Sequence, residues 1–168
     1  IYVMDRDGSR MKRLTHQKGY DGGPFFSCDG KMIVYRAYHP KETKELEEYE
    51  RNIAKRQVVG GRLELFVMNS DGSDQRQITN NRASNFCPFF HPNGRKIVFS
   101  SNLHQPESRG FNLYLIDIDG TGLERITFHL GFDGFPMFSP DGKRLVFISN
   151  RNAKQPGEFN IFMADWVP

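Results

Sequence analysis

Three short acidic turns recur along this chain in one fixed register, and that recurrence limits the fold more than any other feature. Asp5-Arg6-Asp7-Gly8-Ser9, Asn69-Ser70-Asp71-Gly72-Ser73 and Asp117-Ile118-Asp119-Gly120-Thr121 place their glycines 64 and 48 residues apart. Pro24, Pro88 and Pro136 keep the same spacings. So do Gly30, Gly94 and Gly142, in Ser27-Cys28-Asp29-Gly30-Lys31, His91-Pro92-Asn93-Gly94-Arg95 and Ser139-Pro140-Asp141-Gly142-Lys143. The 16 extra residues of the longer spacing fall wholly between Gly30 and Gly72. One copy of the repeated unit therefore carries an insertion.

Between the turns lie short runs rich in β-branched and aromatic residues, such as Met32 to Tyr35, Lys96 to Ser100, Leu113 to Asp117 and Ile161 to Ala164. Such runs read as strands. The Asp-Gly and Asn-Gly pairs supply the positive φ that a tight hairpin needs, and the proline of Pro92-Asn93-Gly94 and Pro140-Asp141-Gly142 presets the turn. Each copy is then a four-stranded antiparallel meander. The chain enters at a third strand, runs through two full copies and leaves after another third strand, which predicts 13 strands. A period of about 40–50 residues with four strands per unit is the mark of an all-β propeller.

The string from Leu113 through Arg125-Ile126-Thr127 to Ser139-Pro140-Asp141-Gly142-Lys143 and Phe147 closely resembles the WD-repeat-like units of TolB-type propellers. The copies differ in places: Cys28 and His91 depart from the Ser-Pro-Asp-Gly form, and Asn85 stands where the other copies have Asp21 and Asp133. This resemblance implies a six-bladed propeller of bacterial, periplasmic or secreted type that works by binding partners. The expected layout is a single propeller segment over residues 1–168. In it, 1–22 end one blade, 23–79 form a blade with an insertion at 38–61, 86–127 form a blade and 135–168 form a partial one. About 3.25 blades do not close a ring, so a lone copy is expected to be open. Further sequence would complete it, or two copies would associate through their free edges. The chain starts without Met inside a strand-like run, which favours further sequence.

Composition fits this reading. Hydrophobic residues make up 38% and aromatic ones 13%, enough for a core, and a net charge of +3 is far from the basic footprint of a nucleic-acid binder. No apolar run approaches the roughly 18–20 residues of a membrane span. Two cysteines, Cys28 and Cys87, are too few for a disulfide framework and are read as buried small side chains.

Candidate binding residues come from the first strand of each blade and from the insertion. Asp21, Asn85 and Asp133 each precede the marker proline by three residues, at the entry to a strand that lines a propeller's channel. They form either a polar ring at the channel mouth or a set of local Asx caps on backbone amides. The insertion predicts a helix at about 42–57, with Leu46, Tyr49 and Ile53 as a narrow apolar stripe that either clasps a partner or packs on the neighbouring blade. Arg36 and His39, in a run peculiar to this copy, would suit an anionic ligand, or else serve as structural ion-pair partners.

Chemistry is harder to find. The five histidines are scattered, the acidic turns lack the carboxylate spacing of a calcium loop, and no nucleophile motif occurs. We expect no catalytic residue, no metal site and no cofactor. The recurring Leu14-Thr15, Ile78-Thr79 and Ile126-Thr127 point to architecture, such as a hydroxyl bonding a neighbouring turn. The favoured function is a non-enzymatic platform for a protein partner or ligand. Two alternatives are the propeller part of a prolyl-oligopeptidase-type hydrolase and a metal-dependent propeller lyase. The first is disfavoured because the ending Asp165-Trp166-Val167-Pro168 reads as a terminus; the second requires three histidines to meet.

Overall fold

In a computed structural model, residues 1–57, 61–108 and 110–167 are described. The chain forms 13 strands and one helix. A first pair, β1 (Tyr2–Val3) and β2 (Lys12–Arg13), makes a two-stranded sheet. Next come β3 (Tyr20–Phe26), β4 (Met32–Tyr38), helix α1 (Thr43–Ala54), β5 (Glu64–Asn69) and β6 (Arg76–Gln77). They are followed by β7 (Asn85–Phe90), β8 (Lys96–Ser101), β9 (Asn112–Asp117) and β10 (Glu124–Arg125). The chain ends with β11 (Asp133–Phe138), β12 (Arg144–Ser149) and β13 (Asn160–Asp165). β3–β6 and β7–β10 are four-stranded antiparallel meanders, and β11–β13 a three-stranded one.

The repeated turns do the same work each time. The amides of Ser9, Ser73 and Thr121 bond Asp7, Asp71 and Asp119 at 2.9 Å, while Gly8, Gly72 and Gly120 take φ values of +84° to +91°. In the other hairpin Asp29, Asn93 and Asp141 accept the amides of Lys31, Arg95 and Lys143. The recurring threonines accept a third-strand backbone nitrogen, rather than one from a turn. Thr15, Thr79 and Thr127 Oγ1 hold the nitrogens of Ile1, Leu65 and Leu113 at 2.6, 2.8 and 2.9 Å.

Pro24, Pro88 and Pro136 each sit at a register shift in the first strand of a sheet. A residue without an N–H fits where the ladder is interrupted. The preceding residues, Gly23, Cys87 and Phe135, have φ of +60°, +52° and +54°. Only the first of these is a glycine, so two blades hold the bulge with side chains in the left-handed region.

Three apolar layers separate the four sheets. Ile1, Val3 and Leu14 pack on Ile33, Tyr35 and Met68. Val34, Leu65 and Val67 meet Phe90, Ile97 and Phe99. Val98, Leu113 and Leu115 meet Phe138, Leu145 and Phe147. Sheets stacked face to face in series, with β3, β7 and β11 as neighbours, are propeller blades around an axis. Large fully buried side chains such as Tyr35, Phe99 and Tyr114 each add roughly 1.5–3 kcal/mol of burial free energy. Cys28, expected to be buried, is exposed, because it occupies the tip of the Ser27–Gly30 turn. Of the insertion's expected end, Val58, Val59 and Gly60 lie outside the described residues, as does Pro168.

Candidate functional site

The helix begins where Glu45 folds back to accept the amides of Lys41 and Glu42 at 3.0 and 3.4 Å, satisfying donors that a helix start leaves free. Side chains rather than a packed face hold it to the blade. Tyr49 donates its hydroxyl to the Gly19 carbonyl at 2.7 Å, Lys18 pairs with Glu50, and Arg62 lies 3.9 Å from Glu45. Gly19 has φ +137°, and a Cβ there would stand 2.2 Å from the Tyr38 carbonyl oxygen, so only glycine lets the two segments approach. No helical residue is buried. Leu46 and Tyr49 are half-buried and Ile53 is exposed, so the apolar stripe is used only in part.

A groove of about 890 Å³ opens between the start of the helix and the β4–β6 face. Phe66 and His39 line it, together with the basic Lys41, Arg62 and Arg82 and the acidic Glu42, Glu45 and Glu64. A lining that mixes an aromatic ring with both signs of charge suits an extended polypeptide better than a small uniform anion.

The structure places Arg36 and His39 apart. Arg36 turns toward the neighbouring blade, with its guanidinium over the Tyr20 ring at 5.9 Å and Nη2 donating to the Tyr20 hydroxyl at 3.1 Å. Its Nε is buried with no partner among the described residues. Arg36 also stands beside Cys87, whose thiol burial pushes up against the opposing pull of that charge. His39 instead bonds Asp21 at 2.8 Å and stands against Phe66 at 5.1 Å between ring centroids. Burial alone would raise the Asp21 carboxyl, but the hydrogen bond and charge of His39, with the Thr15 hydroxyl, outweigh it and hold the group below its ordinary value.

Asp21, Asn85 and Asp133 do occupy matching places at the heads of β3, β7 and β11, yet each is engaged by its own surroundings. Asn85 is fully buried and donates to the Leu63 carbonyl and Asn81 Oδ1, both at 2.9 Å. Asp133 is fully buried and holds Arg151 Nη2 through both oxygens at 2.9 and 2.8 Å. Among the described residues their partners are mainly side chains, and none of the three is seen capping a local amide. Arg151 was not singled out from sequence, although a signal exists. His39, Leu103 and Arg151 share one repeat position, being 64 and 48 residues apart, and the cationic or imidazole side chain occurs only where the first strand carries Asp.

Three other histidines have separate partners as well: His104 bonds Tyr114, His129 bonds Asn150, and His91 stands edge-on to Phe138. Among the described residues no three metal-ligating side chains come together, and no helix is long and apolar enough to cross a membrane.

No family profile matches the chain. An uncharacterized protein of Agrobacterium fabrum is 29% identical, covering 60% of this chain and 28% of that protein. An uncharacterized peptidase of Bacillus subtilis is 26% identical, covering 64% of this chain and 19% of that one. The chain thus spans less than a third of the length of these relatives. Among solved structures, TolB from Acinetobacter baumannii superposes with a TM-score of 0.69 at 20% identity, covering 98% of this chain and 34% of that one. A protein assigned to TolB from Agrobacterium tumefaciens gives 0.70 at 22%, covering 98% and 52%. An oligogalacturonate lyase in complex with manganese gives 0.61 at 16%, covering 99% and 41%. Blades, bulges and stacking order together make this chain, in fold, a TolB-like β-propeller with an open run of blades.

Proposed function

We propose that the chain is a non-enzymatic binding platform whose docking site is the groove between α1 and the β4–β6 face. The observation that carries this reading is the inserted helix itself. None of its residues is fully buried, yet it builds one wall of an open groove lined by both acidic and basic residues. Tyr49 positions that wall, and the His39–Asp21 pair fixes the floor. The occupant is an extended segment of a protein partner, and the likeness to TolB supports a periplasmic or secreted setting. Arg36 belongs to a neighbouring part of the rim and not to the groove.

The test is a selection of displayed peptides on the immobilised chain, followed by affinity measurement on variants. K41E with R82E, neither of which pairs through its side chain with the helix among the described residues, should weaken selected peptides about tenfold or more while leaving thermal unfolding nearly unchanged. Binders indifferent to both charges and to removal of the Tyr49 ring would overturn the groove as the site. A second reading, the propeller part of a hydrolase, draws support from the match to the Bacillus subtilis peptidase. It requires a hydrolase domain encoded in the same open reading frame, and sequencing the source gene decides it.

A further inference from the structure

The loop between β10 and β11 carries two apolar side chains that stand out from the surface: Phe128 is 72% and Leu130 80% exposed. By the repeat spacings of 64 and 48, Phe128 corresponds to His16 and Asn80, and Leu130 to Lys18 and Arg82. All four counterparts are exposed as well, although complete four-stranded sheets follow them, so exposure belongs to the position itself. The chemistry is what changes. Two copies place polar or charged side chains where the chain faces water, and the third places Phe and Leu there, an apolar pair that no core requires.

The loop also bounds a hollow of about 410 Å³, lined by Ile126, Thr127, Phe128, His129 and Arg151. This hollow is the counterpart of the groove beside α1, where Gln17, Lys18 and His39 hold the places of His129, Leu130 and Arg151, and that groove stands beside a complete sheet. The groove is lined by both signs of charge, whereas no carboxylate lines the hollow among the described residues. Arg125 lies over the Phe128 ring at 4.8 Å. Its Nε donates to the Thr127 carbonyl at 2.9 Å and its Nη2 to Asn112 Oδ1, so neutral oxygens hold it and leave its charge uncancelled. Arg151 uses Nε on Ser149 and Nη2 on Asp133, which leaves Nη1 without a bond among the described residues. Two guanidinium groups beside an exposed aromatic ring select an anion joined to an apolar group.

We propose that the β10–β11 loop and this hollow form a second docking site, for a segment of a protein partner in which a carboxylate neighbours an aromatic or aliphatic side chain. The carboxylate meets Arg125 and Arg151, and the apolar side chain packs on Phe128 and Leu130. A concave seat suits a peptide, whereas two apolar residues fall short of the broad apolar face of a membrane anchor. The site is independent of the groove beside α1.

The experiment titrates the isotope-labelled chain with acetyl-Glu-Phe-amide and follows the shifts of backbone amides and arginine Nε–H groups. Saturable shifts confined to 125–130 and Arg151 are expected, and acetyl-Gln-Phe-amide and acetyl-Glu-Ala-amide should each bind about fivefold more weakly. R125Q and F128N install the residues of the second copy, Gln77 and Asn80. Gln77 makes the same side-chain bond to its threonine carbonyl, so both variants should keep nearly the same melting temperature. R125Q should bring the Glu probe down to the affinity of the Gln probe, and F128N should remove the advantage of Phe over Ala. Equal binding of the Glu and Gln probes, succinate binding as tightly as the dipeptide, or shifts centred on Lys41 and Phe66 of the groove would overturn the proposal. Absence of saturable shifts would overturn it too, and adhesion to phosphatidylcholine–phosphatidylglycerol vesicles that F128N abolishes would then assign the loop to a membrane surface. Should a variant fail to fold, the comparison of probes on the unaltered chain still decides.

Discussion

Arg151 grips fully buried Asp133 through both carboxylate oxygens, and its guanidinium also lies over the rings of Phe147 and Phe162 at 5.0 and 5.4 Å. One residue thus ties the head of β11 to the aromatic layer of the last sheet. Because Arg151 is partly exposed and Asp133 is not, the two partners are not equivalent. R151A leaves an uncompensated buried carboxylate and should cost about 3–5 kcal/mol, the usual range for a broken buried pair. D133N keeps a polar group under a cation that still reaches water, and should cost less than half as much. Urea unfolding of the two variants checks the order.

Thr79 is nearly buried and accepts the Leu65 amide while donating to Glu64 Oε2 at 2.5 Å. T79V keeps the shape and removes the acceptor, stranding a buried N–H. The expected loss is about 1–3 kcal/mol. T127V should cost less, because Thr127, which accepts the Leu113 amide, is itself only half-buried. Thermal unfolding of the two variants side by side is the measurement.

The blade plan was legible because every copy needs the same turn chemistry, so Gly8, Gly72 and Gly120 recur whatever surrounds them. The role of Pro24, Pro88 and Pro136 was not. Their spacing marks a repeat, but a bulge is a matter of register between two strands, and Cys87 and Phe135 hide it by taking positive φ without being glycine. The site was less legible still. Asp21 and His39 lie 18 residues apart and meet only because β3 and β4 pair antiparallel, whereas Arg36 and His39, three apart, separate toward different neighbours. The helix was readable from its periodicity, but its stand-off from the blade depends on Gly19 and Tyr49, which periodicity does not link.

Gly19 and Gly23 give a paired test of backbone freedom. At Gly19 a Cβ would collide with the Tyr38 carbonyl at 2.2 Å, whereas at Gly23 it would meet only the Arg36 guanidinium at an ordinary 3.6 Å. G23A therefore carries just the left-handed penalty, about 1–2 kcal/mol. G19A must also displace backbone, so it should be the more damaging of the two and should release the helix, seen as faster amide exchange over 43–54.

Asp21 fixes the direction of an acid response. Its carboxyl is held below the ordinary 3.8 in the folded chain, so between those two values the unfolded state binds more protons and stability rises with pH. The stabilisation is present above the unfolded value and disappears as pH falls through the folded one. D21N should flatten this part of the curve of melting temperature between about pH 2 and pH 5, although the turn aspartates Asp7, Asp71 and Asp119, shifted the same way, leave a residual slope.

Cys87 reports on Arg36. Burial raises the thiol above its ordinary value, while the adjacent guanidinium favours the thiolate and opposes that rise. Alkylation proceeds through the thiolate, so its rate against pH follows the thiol's ionisation. In a C28S background, which removes the exposed second cysteine, R36M should move the midpoint of that profile to higher pH. A more open site would instead raise the plateau rate without moving the midpoint, so the two effects separate in one titration. An unmoved midpoint would mean that Arg36 does not act electrostatically on the first strand of the next blade. Its unpartnered Nε would then have to be explained by packing over Tyr20 alone.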